Sequence, residues 1–360
     1  MNKKLSMLFP VTAILLSGCV GNVHYNSSEY VKDVVWERDT FKVLTLGDIH
    51  FSITDNYQQH FEVMQRTIDA SNPDLIVLNG DAFTFASKET VRTLFDWLDS
   101  RKNVDKKPIK WTFTFGNHDD QGQYADTWIP REMSSARYKN CACPDLKKLE
   151  NDDVTGRTNF VLNLKKDGDL KYQIYVFDSN SYNFQKFEGE YKNLGEDYYY
   201  DSIKIDQIEW YKRMINDTAN GVKSSAFFHI PVPEFNYLFN RPEDGSEWTL
   251  KDEYREKDSD GNFIGDGAEA LVSSPQNNTG LFEAMKESQL TQSVTCSHDH
   301  VNNFVCNYEG IYLTYGTHAT NRIYYAKDKI GGQVMTIKQD QSISFENIFV
   351  ENDYPEAQLL

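Results

Sequence analysis

The stretch Phe41-Lys42-Val43-Leu44-Thr45-Leu46-Gly47-Asp48-Ile49-His50 decides how this chain reads. Its first six residues form an apolar, β-branched run typical of a buried strand, and two side chains able to hold a metal fall just past its end. Working outward, residues 57–70 have helical spacing, with Phe61, Met64 and Ile68 on one face. Residues 73–78 make the next strand and run into Gly80-Asp81. Residues 90–98 read as a second helix, and residues 110–115 as a third strand that ends in Gly116-Asn117-His118-Asp119. This βαβαβ order favours parallel strands joined by right-handed crossovers, with ligands gathered at their carboxyl ends.

The pattern continues downstream. Residues 159–164 and 172–177 flank Lys166-Asp167-Gly168-Asp169 as a hairpin, and residues 203–215 form a helix carrying Ile208 and Tyr211 on its buried stripe. Residues 225–229 are a short strand ending in His229. Residues 292–296, 304–306 and 311–315, with a terminal hairpin around 338–341, are expected to supply a second sheet; the first of these strands runs into Cys296-Ser297-His298-Asp299-His300. Residues 122–158 lack clear periodicity and read as an insertion or irregular cover. Residues 234–270 are a second, polar insertion suited to a lid. Within it, Asp258-Ser259-Asp260-Gly261-Asn262 approaches a calcium loop, but its glycine stands at the wrong position.

The 360 residues carry a formal net charge of −17. That balance excludes a nucleic-acid backbone as the main partner, because such partners require a basic face. An anionic small substrate is still allowed, since beyond roughly 8 Å at physiological salt the global charge is screened and the local charge of the site decides.

The N-terminus reads as a targeting segment. Lys3 and Lys4 precede an apolar run over residues 7–16, too short to span a bilayer, and Leu16-Ser17-Gly18-Cys19 resembles the bacterial lipobox. The resemblance implies a signal peptide over residues 1–18, a lipidated Cys19, a tether over residues 19–38 and a folded domain over residues 39–355, lipid-anchored in the cell envelope. The alternative is an ordinary secretory signal that ends in Cys. Val20 follows, so no Asp stands there to mark inner-membrane retention. Export makes disulfides permissible. If residues 297–300 begin a turn between antiparallel strands centred on Val301, Cys296 and Cys306 fall opposite one another and could be bridged. Cys141 and Cys143 read as structural or free.

Taken together, Asp48-x-His50, Gly80-Asp81, Gly116-Asn117-His118-Asp119, His229 and His298-x-His300 resemble, in order, the motif blocks of the calcineurin-like metallophosphoesterases. Residues 227–234 (Phe-Phe-His-Ile-Pro-Val-Pro-Glu), 298–302 and 274–282 are similar to the purple-acid-phosphatase-like branch. The resemblance implies an α/β fold of two mixed sheets face to face between outer helices, a four-layer α-β-β-α sandwich. It also implies one metal held by Asp48, His50 and His300, a second held by Asn117, His229 and His298, and Asp81 bridging the two. Imidazole and carboxylate together suit Mn, Fe, Zn or Co. Two dications against two carboxylates leave the site positive even with a bridging hydroxide, and the metals lower the pKa of bound water toward ~7. The implied reaction is phosphoester hydrolysis, with a monoester favoured and a diester or nucleotide pyrophosphate as the alternative. His118 is the candidate general acid for the leaving alkoxide, and Asp119 a candidate helper that orients or polarises its imidazole.

Two positions depart from the family pattern. Ser297 stands where Gly is usual. Thr84, rather than Tyr, stands third after Asp81, so no ferric–tyrosinate colour is expected. His24, His60 and His318 match no motif block and read as surface or structural residues. The Tyr198-Tyr199-Tyr200 run reads as packing or cover. A reading from another class, a lipoprotein that keeps the fold only as a binding module, sits poorly with the presence of all seven donors.

Overall fold

The computed structural model describes residues 26–52, 57–150, 152–183, 199–242, 248–268 and 272–355. Along the chain come β1 (Val31–Val35), β2 (Thr40–Leu46), α1 (Tyr57–Ser71), β3 (Leu75–Asn79), α2 (Lys88–Asp99), β4 (Lys110–Thr114), α3 (Ala125–Met133) and α4 (Leu146–Leu149). Next are β5 (Phe160–Lys166), β6 (Asp169–Val176), β7 (Tyr182–Asn183), β8 (Tyr199–Tyr200), α5 (Ile205–Thr218), β9 (Ser224–Phe227), β10 (Phe239–Asn240) and β11 (Thr249–Leu250). The last are α6 (Leu281–Ser288), β12 (Thr291–Cys296), β13 (Val305–Tyr308), β14 (Ile311–Tyr315), β15 (Gly331–Lys338) and β16 (Ile343–Phe349).

These strands build two main mixed sheets, one in the order β16-β15-β2-β3-β4 and the other β1-β5-β6-β9-β12-β14-β13. The strands β2, β3 and β4 are parallel, with α1 and α2 as their crossovers. In the larger sheet β6, β9 and β12 run parallel, and β12 pairs parallel with β14.

Alternation along single strands shows how the layers stack. In β5, Phe160, Leu162 and Leu164 face a core shared with Leu44, Leu78 and Met335 of the smaller sheet. Val161, between them, faces a second core with Trp210 and Met214 of α5 and Phe282 and Met285 of α6. The period of two sends neighbours to opposite faces, so the larger sheet is buried on both. A fully buried Phe or Leu in such a layer contributes about 1.5–3 kcal/mol. The α-β-β-α sandwich expected from the sequence is the observed architecture.

Three expectations need correction. The terminal hairpin β15–β16 does not join the other late strands; β15 pairs antiparallel with β2 in the smaller sheet. The tether assigned to residues 19–38 is folded from residue 27 onward: Ser27–Tyr30 is a 3-10 turn, β1 pairs with β5, and Tyr30, Val34 and Trp36 are buried. Lys32 and Asp33, both exposed on this edge strand, make it look like polar linker. The proposed bridge between Cys296 and Cys306 fails because β14 lies between their strands. Cys296 pairs with Tyr315 and Cys306 with Leu313, and both are free, buried thiols. Two strand spacings of about 4.8 Å exceed the Cα separation a disulfide spans.

Residues 122–158 are more regular than their pattern suggests. They hold α3, whose Ile129 and Met133 are buried while Pro130 lies inside the helix. A proline there breaks the helical signature.

Candidate metal centre

Five strands, β2, β3, β4, β9 and β12, end at one edge of the sandwich. The turns just past them deliver Asp48 and His50, Asp81, Asn117 and His118, His229, and His298 and His300. The backbone turns sharply there: Asp48 (φ 52°), His50 (φ 51°), Asp81 (φ 49°) and His298 (φ 85°) are all left-handed. Each such non-glycine residue costs about 1–3 kcal/mol, so the surrounding bonds must hold them. Asp48 N donates to Gly80 O at 3.2 Å and His50 N to Asp81 O at 2.9 Å. The loops approach too closely for larger residues; a Cβ on Gly47 would stand 2.3 Å from Ser297 Oγ, and one on Gly116 2.3 Å from Asp81 Oδ1. Ser297 therefore packs its hydroxyl against Gly47 without displacing a donor.

Two groups of buried side chains could each hold a metal ion: Asp48, His50 and His300, and Asp81, His229 and His298. Within each group the ligand atoms lie within 4.8 Å of one another. His300 Nδ1 donates to Tyr324 O at 2.8 Å, which leaves the lone pair on Nε2, 3.2 Å from His50 Nε2. His50 Nδ1 faces the Thr84 hydroxyl at 3.0 Å. In the other group, His229 Nδ1 donates to Asn79 O at 3.0 Å, and its Nε2 lies 3.2 Å from Asp81 Oδ2 and 3.2 Å from His298 Nδ1. Asn117 Nδ2 donates to Tyr182 Oη at 2.7 Å, while its Oδ1 is buried without a hydrogen-bond partner among the described residues. Lone pairs facing each other repel, and a buried orphaned oxygen is costly; a cation between them relieves both. The residues present fit two divalent metals.

Electrostatics of the metal-free protein lead the same way. Burial lowers the pKa of His50 and His298 well below the ordinary value and that of His300 to about 4, so these imidazoles are neutral, the form that ligates. Burial also opposes charge on His229, but Asp81 and Asp48 outweigh it and raise its pKa to about 9. Asp48, deeply buried and beside Asp81, rises to about 8. His229 Nε2 and Asp81 Oδ2 form an ion pair at 3.2 Å, and a metal held by these two residues would take the place of that proton.

His118 N donates to Asp81 Oδ1 at 2.8 Å, and its half-buried ring lies edge-on to His50 with centroids 5.1 Å apart. The sequence reading of Asp119 as its helper is corrected. Asp119 accepts from Phe83 N at 2.8 Å and Gly116 N at 2.7 Å, so it ties together the loops after β3 and β4. Gln121 instead meets His118, its Nε2 lying 2.8 Å from Nδ1. Sequence reasoning also missed Asn79, Thr84 and Tyr324. Asn79 and Thr84 stand beside the Gly80-Asp81 block and were within reach of that motif; Tyr324 carries no local signal.

Other residues singled out in the sequence fall into place. His318 is buried and packs on His300 with centroids 4.3 Å apart, and His60 bonds Tyr354 Oη at 2.8 Å. Tyr200 stands edge-on to His298 at 4.4 Å. Asp299 does not point at the site; it accepts from Ser273 N and from the Tyr315 hydroxyl, which pins the His298–His300 loop to β14. Asp258 closes its own loop by accepting from Asp260 N and Asn262 N. Residues 1–18, Cys19, His24 and Tyr198 lie outside the described residues.

The family model described as calcineurin-like phosphoesterase matches residues 41–257. Among curated proteins, the chain is 25% identical over 370 residues to "Probable inactive purple acid phosphatase 14" of Arabidopsis thaliana, covering 90% of this chain and 82% of that one. It is 26% identical to "Phosphatase DCR2" of Saccharomyces cerevisiae over 77% of this chain, which spans about half (47%) of the yeast protein. Among solved structures, a dimetal phosphatase from Danio rerio superposes with a TM-score of 0.48 at 11% identity, covering 84% of this chain and 93% of that one.

Proposed function

Because the chain belongs to the calcineurin-like phosphoesterase family, we propose that it hydrolyses phosphate esters, monoesters first, with two divalent metal ions held by seven side chains. The convergence of two buried donor groups at one sheet edge carries this reading. Asp48, His50 and His300 would hold one ion, Asn117, His229 and His298 the other, and Asp81 both. When bound, such ions make water nucleophilic at neutral pH and stabilise the charge that develops on the phosphoryl oxygens. His118, half-buried and oriented by Gln121, gives a proton to the departing alkoxide. Asp81 fixes the His118 backbone through its Oδ1, so the acid and the donor cluster move as one unit.

The names of the relatives favour a phosphomonoester, and a phosphodiester or nucleotide pyrophosphate is the alternative at the same centre. Three of the relatives, purple acid phosphatases 14, 28 and 29 of Arabidopsis thaliana, are named probable inactive, which supports a second reading as a binding module; the retention of all seven donors weighs against it. Mn, Fe and Zn all suit the donors, and the absence of a tyrosine at residue 84 predicts no purple colour. We further propose that Cys19 is lipidated and tethers the enzyme to the bacterial envelope outside the cytoplasm, with no nucleic-acid partner. A Cys19→Ala chain that stays in the membrane fraction would overturn that anchor.

The deciding assay compares a nitrophenyl phosphate monoester with the matching diester, using the chain from Val20 reloaded with manganese after chelation. A monoester preference supports the proposal, and a diester preference moves the alternative to first place. Tight metal binding without turnover of either leaves the binding module.

A further inference from the structure

Three bulky side chains on the segments that border this centre hold a backbone conformation that disfavours them. Phe85 (φ 52°), Tyr124 (φ 56°) and Ile323 (φ 66°) are left-handed. They are also 72%, 73% and 53% exposed, among the largest exposures of apolar side chains in the described structure. Left-handed backbone is unfavourable for bulky residues and most of all for a β-branched one, so each position would be more stable as Gly or Asn. Tyr124 begins α3, its carbonyl accepting from Thr127 N and Trp128 N at 3.1 Å each, but that cap uses the backbone and does not account for a large exposed side chain.

Their placement does. Phe85 follows Thr84, whose hydroxyl lies 3.0 Å from His50 Nδ1. Tyr124 is three residues past Gln121, which meets His118 Nδ1 at 2.8 Å. The two loops touch, since a Cβ on Gly122 would stand 2.1 Å from Ala86 O. Ile323 precedes Tyr324, whose main-chain oxygen accepts from His300 Nδ1 at 2.8 Å and whose ring stacks on that imidazole at 4.2 Å and 4°. Residues 82–87, 121–125 and 320–325 hold one charged side chain, Arg322, in a chain that is 25% charged. An edge proposed to bind a dianionic phosphoryl group is thus bordered by three segments with almost no charge, the exposed Asp120 standing just before the second.

We propose that Phe85, Tyr124 and Ile323 form an apolar collar for the leaving group, and that the substrates are phosphate esters of apolar alcohols, aryl or alkyl. This rests on the phosphoesterase reading and narrows it. The phosphoryl group faces the metal donors, so the alcohol portion projects outward across these three residues. A sugar or glycerol portion would gain nothing there, whereas each methylene covered adds favourable transfer free energy. The collar determines specificity and takes no part in bond making.

The test uses the manganese-loaded chain with ethyl- and hexylphosphonate, which cannot be hydrolysed, titrated by calorimetry, alongside kcat/KM for ethyl and hexyl phosphate and for phenyl and naphthyl phosphate. Hexylphosphonate is expected to bind at least about tenfold more tightly than ethylphosphonate, with a parallel gain in kcat/KM for the larger ester in each pair. The triple variant Phe85→Asn, Tyr124→Asn, Ile323→Asn should lose most of that ratio while its thermal midpoint stays equal or rises, because Asn tolerates the left-handed backbone. Equal binding of the two phosphonates, or a ratio retained in the variant, overturns the collar. Equal binding with hydrolysis intact sinks the collar alone. A binding preference without any hydrolysis sinks the esterase reading alone.

Discussion

The main-chain oxygen of Asn79 accepts from Nδ1 of His229 at 3.0 Å, across the boundary between the two sheets. From the same residue, Nδ2 lies 3.1 Å from Phe228 O, 3.1 Å from Thr295 O and 3.2 Å from Ser297 Oγ. One fully buried side chain at the end of β3 thus clasps the ends of β9 and β12. The His229 imidazole is aimed by the backbone of the strand that also delivers Asp81. Donors from opposite sheets are registered through this contact.

Asn79→Ala removes the amide while leaving the carbonyl in place. The two hydrogens on Nδ2 are shared among Phe228 O, Thr295 O and Ser297 Oγ, so two buried bonds are lost, each worth about 0.5–1.5 kcal/mol net and more where an acceptor is left unpaired. A loss of about 2–4 kcal/mol in urea unfolding is expected, together with weaker retention of the metal next to His229. A change below about 0.5 kcal/mol, within the range of ordinary surface substitutions, would falsify the clasp.

Asn117 and His118 are neighbours with separable roles. Asn117 Oδ1 is buried and has no partner among the described residues, so Asn117→Ala should remove one metal per chain and the activity with it. His118→Ala should keep both metals and slow hydrolysis by about 10²–10⁴-fold, most severely for poor leaving groups. Metal content by mass spectrometry and rates on phenyl and nitrophenyl phosphate separate the two. Normal turnover of phenyl phosphate by His118→Ala would remove His118 as the acid.

How much of this was legible depends on how local the determinant is. The strands β2, β3 and β4 announce themselves because each apolar run stops at a donor block, and period and position agree. The partners of β12 could not be read the same way. Strand pairing is non-local, and no pattern in residues 296–306 reveals that β14 enters between β12 and β13. The same limit hid β15 beside β2 and the edge strand at Lys32 and Asp33. At the site, six of the seven expected metal donors fall into two close groups and the seventh, Asn117, keeps a buried unpartnered Oδ1, yet the residues that aim them were mostly silent. Gln121 and Tyr324 act through loop-to-loop contacts with no spacing rule, and Asp119, though inside a motif block, turns its carboxylate toward two backbone amides.

That assignment separates Asp119 from Gln121 experimentally. Asp119→Ala orphans the buried amides of Phe83 and Gly116 and should lower stability by about 2–4 kcal/mol, with metal content falling as the two loops part. Gln121→Ala touches only the His118 imidazole. It should keep stability and metals and slow phenyl phosphate more than nitrophenyl phosphate, because the poorer leaving group depends more on a well-placed acid. Equal rates to the parent on both esters would mean that another group orients His118.

Glu234 makes a prediction about pH that is independent of the metals' own titration. The residue is 4% exposed; Oε1 accepts from Asn278 Nδ2 at 2.6 Å, and Oε2 is buried with no partner among the described residues. Burial raises its pKa, and the bond from Asn278 offsets this only in part. A raised carboxylate pKa means that the folded state keeps a proton the unfolded chain has already released. Stability from this group is therefore greatest below the ordinary glutamate value, falls as pH rises through the window up to the folded value, and is level above it. Glu234→Gln removes that dependence. In urea unfolding of chelated protein between pH 4 and pH 8, the variant should gain on the parent steadily with pH and be the more stable of the two at the upper end. Parallel curves would show that Glu234 ionises as freely in the fold as in the unfolded chain, and that its second oxygen is solvated.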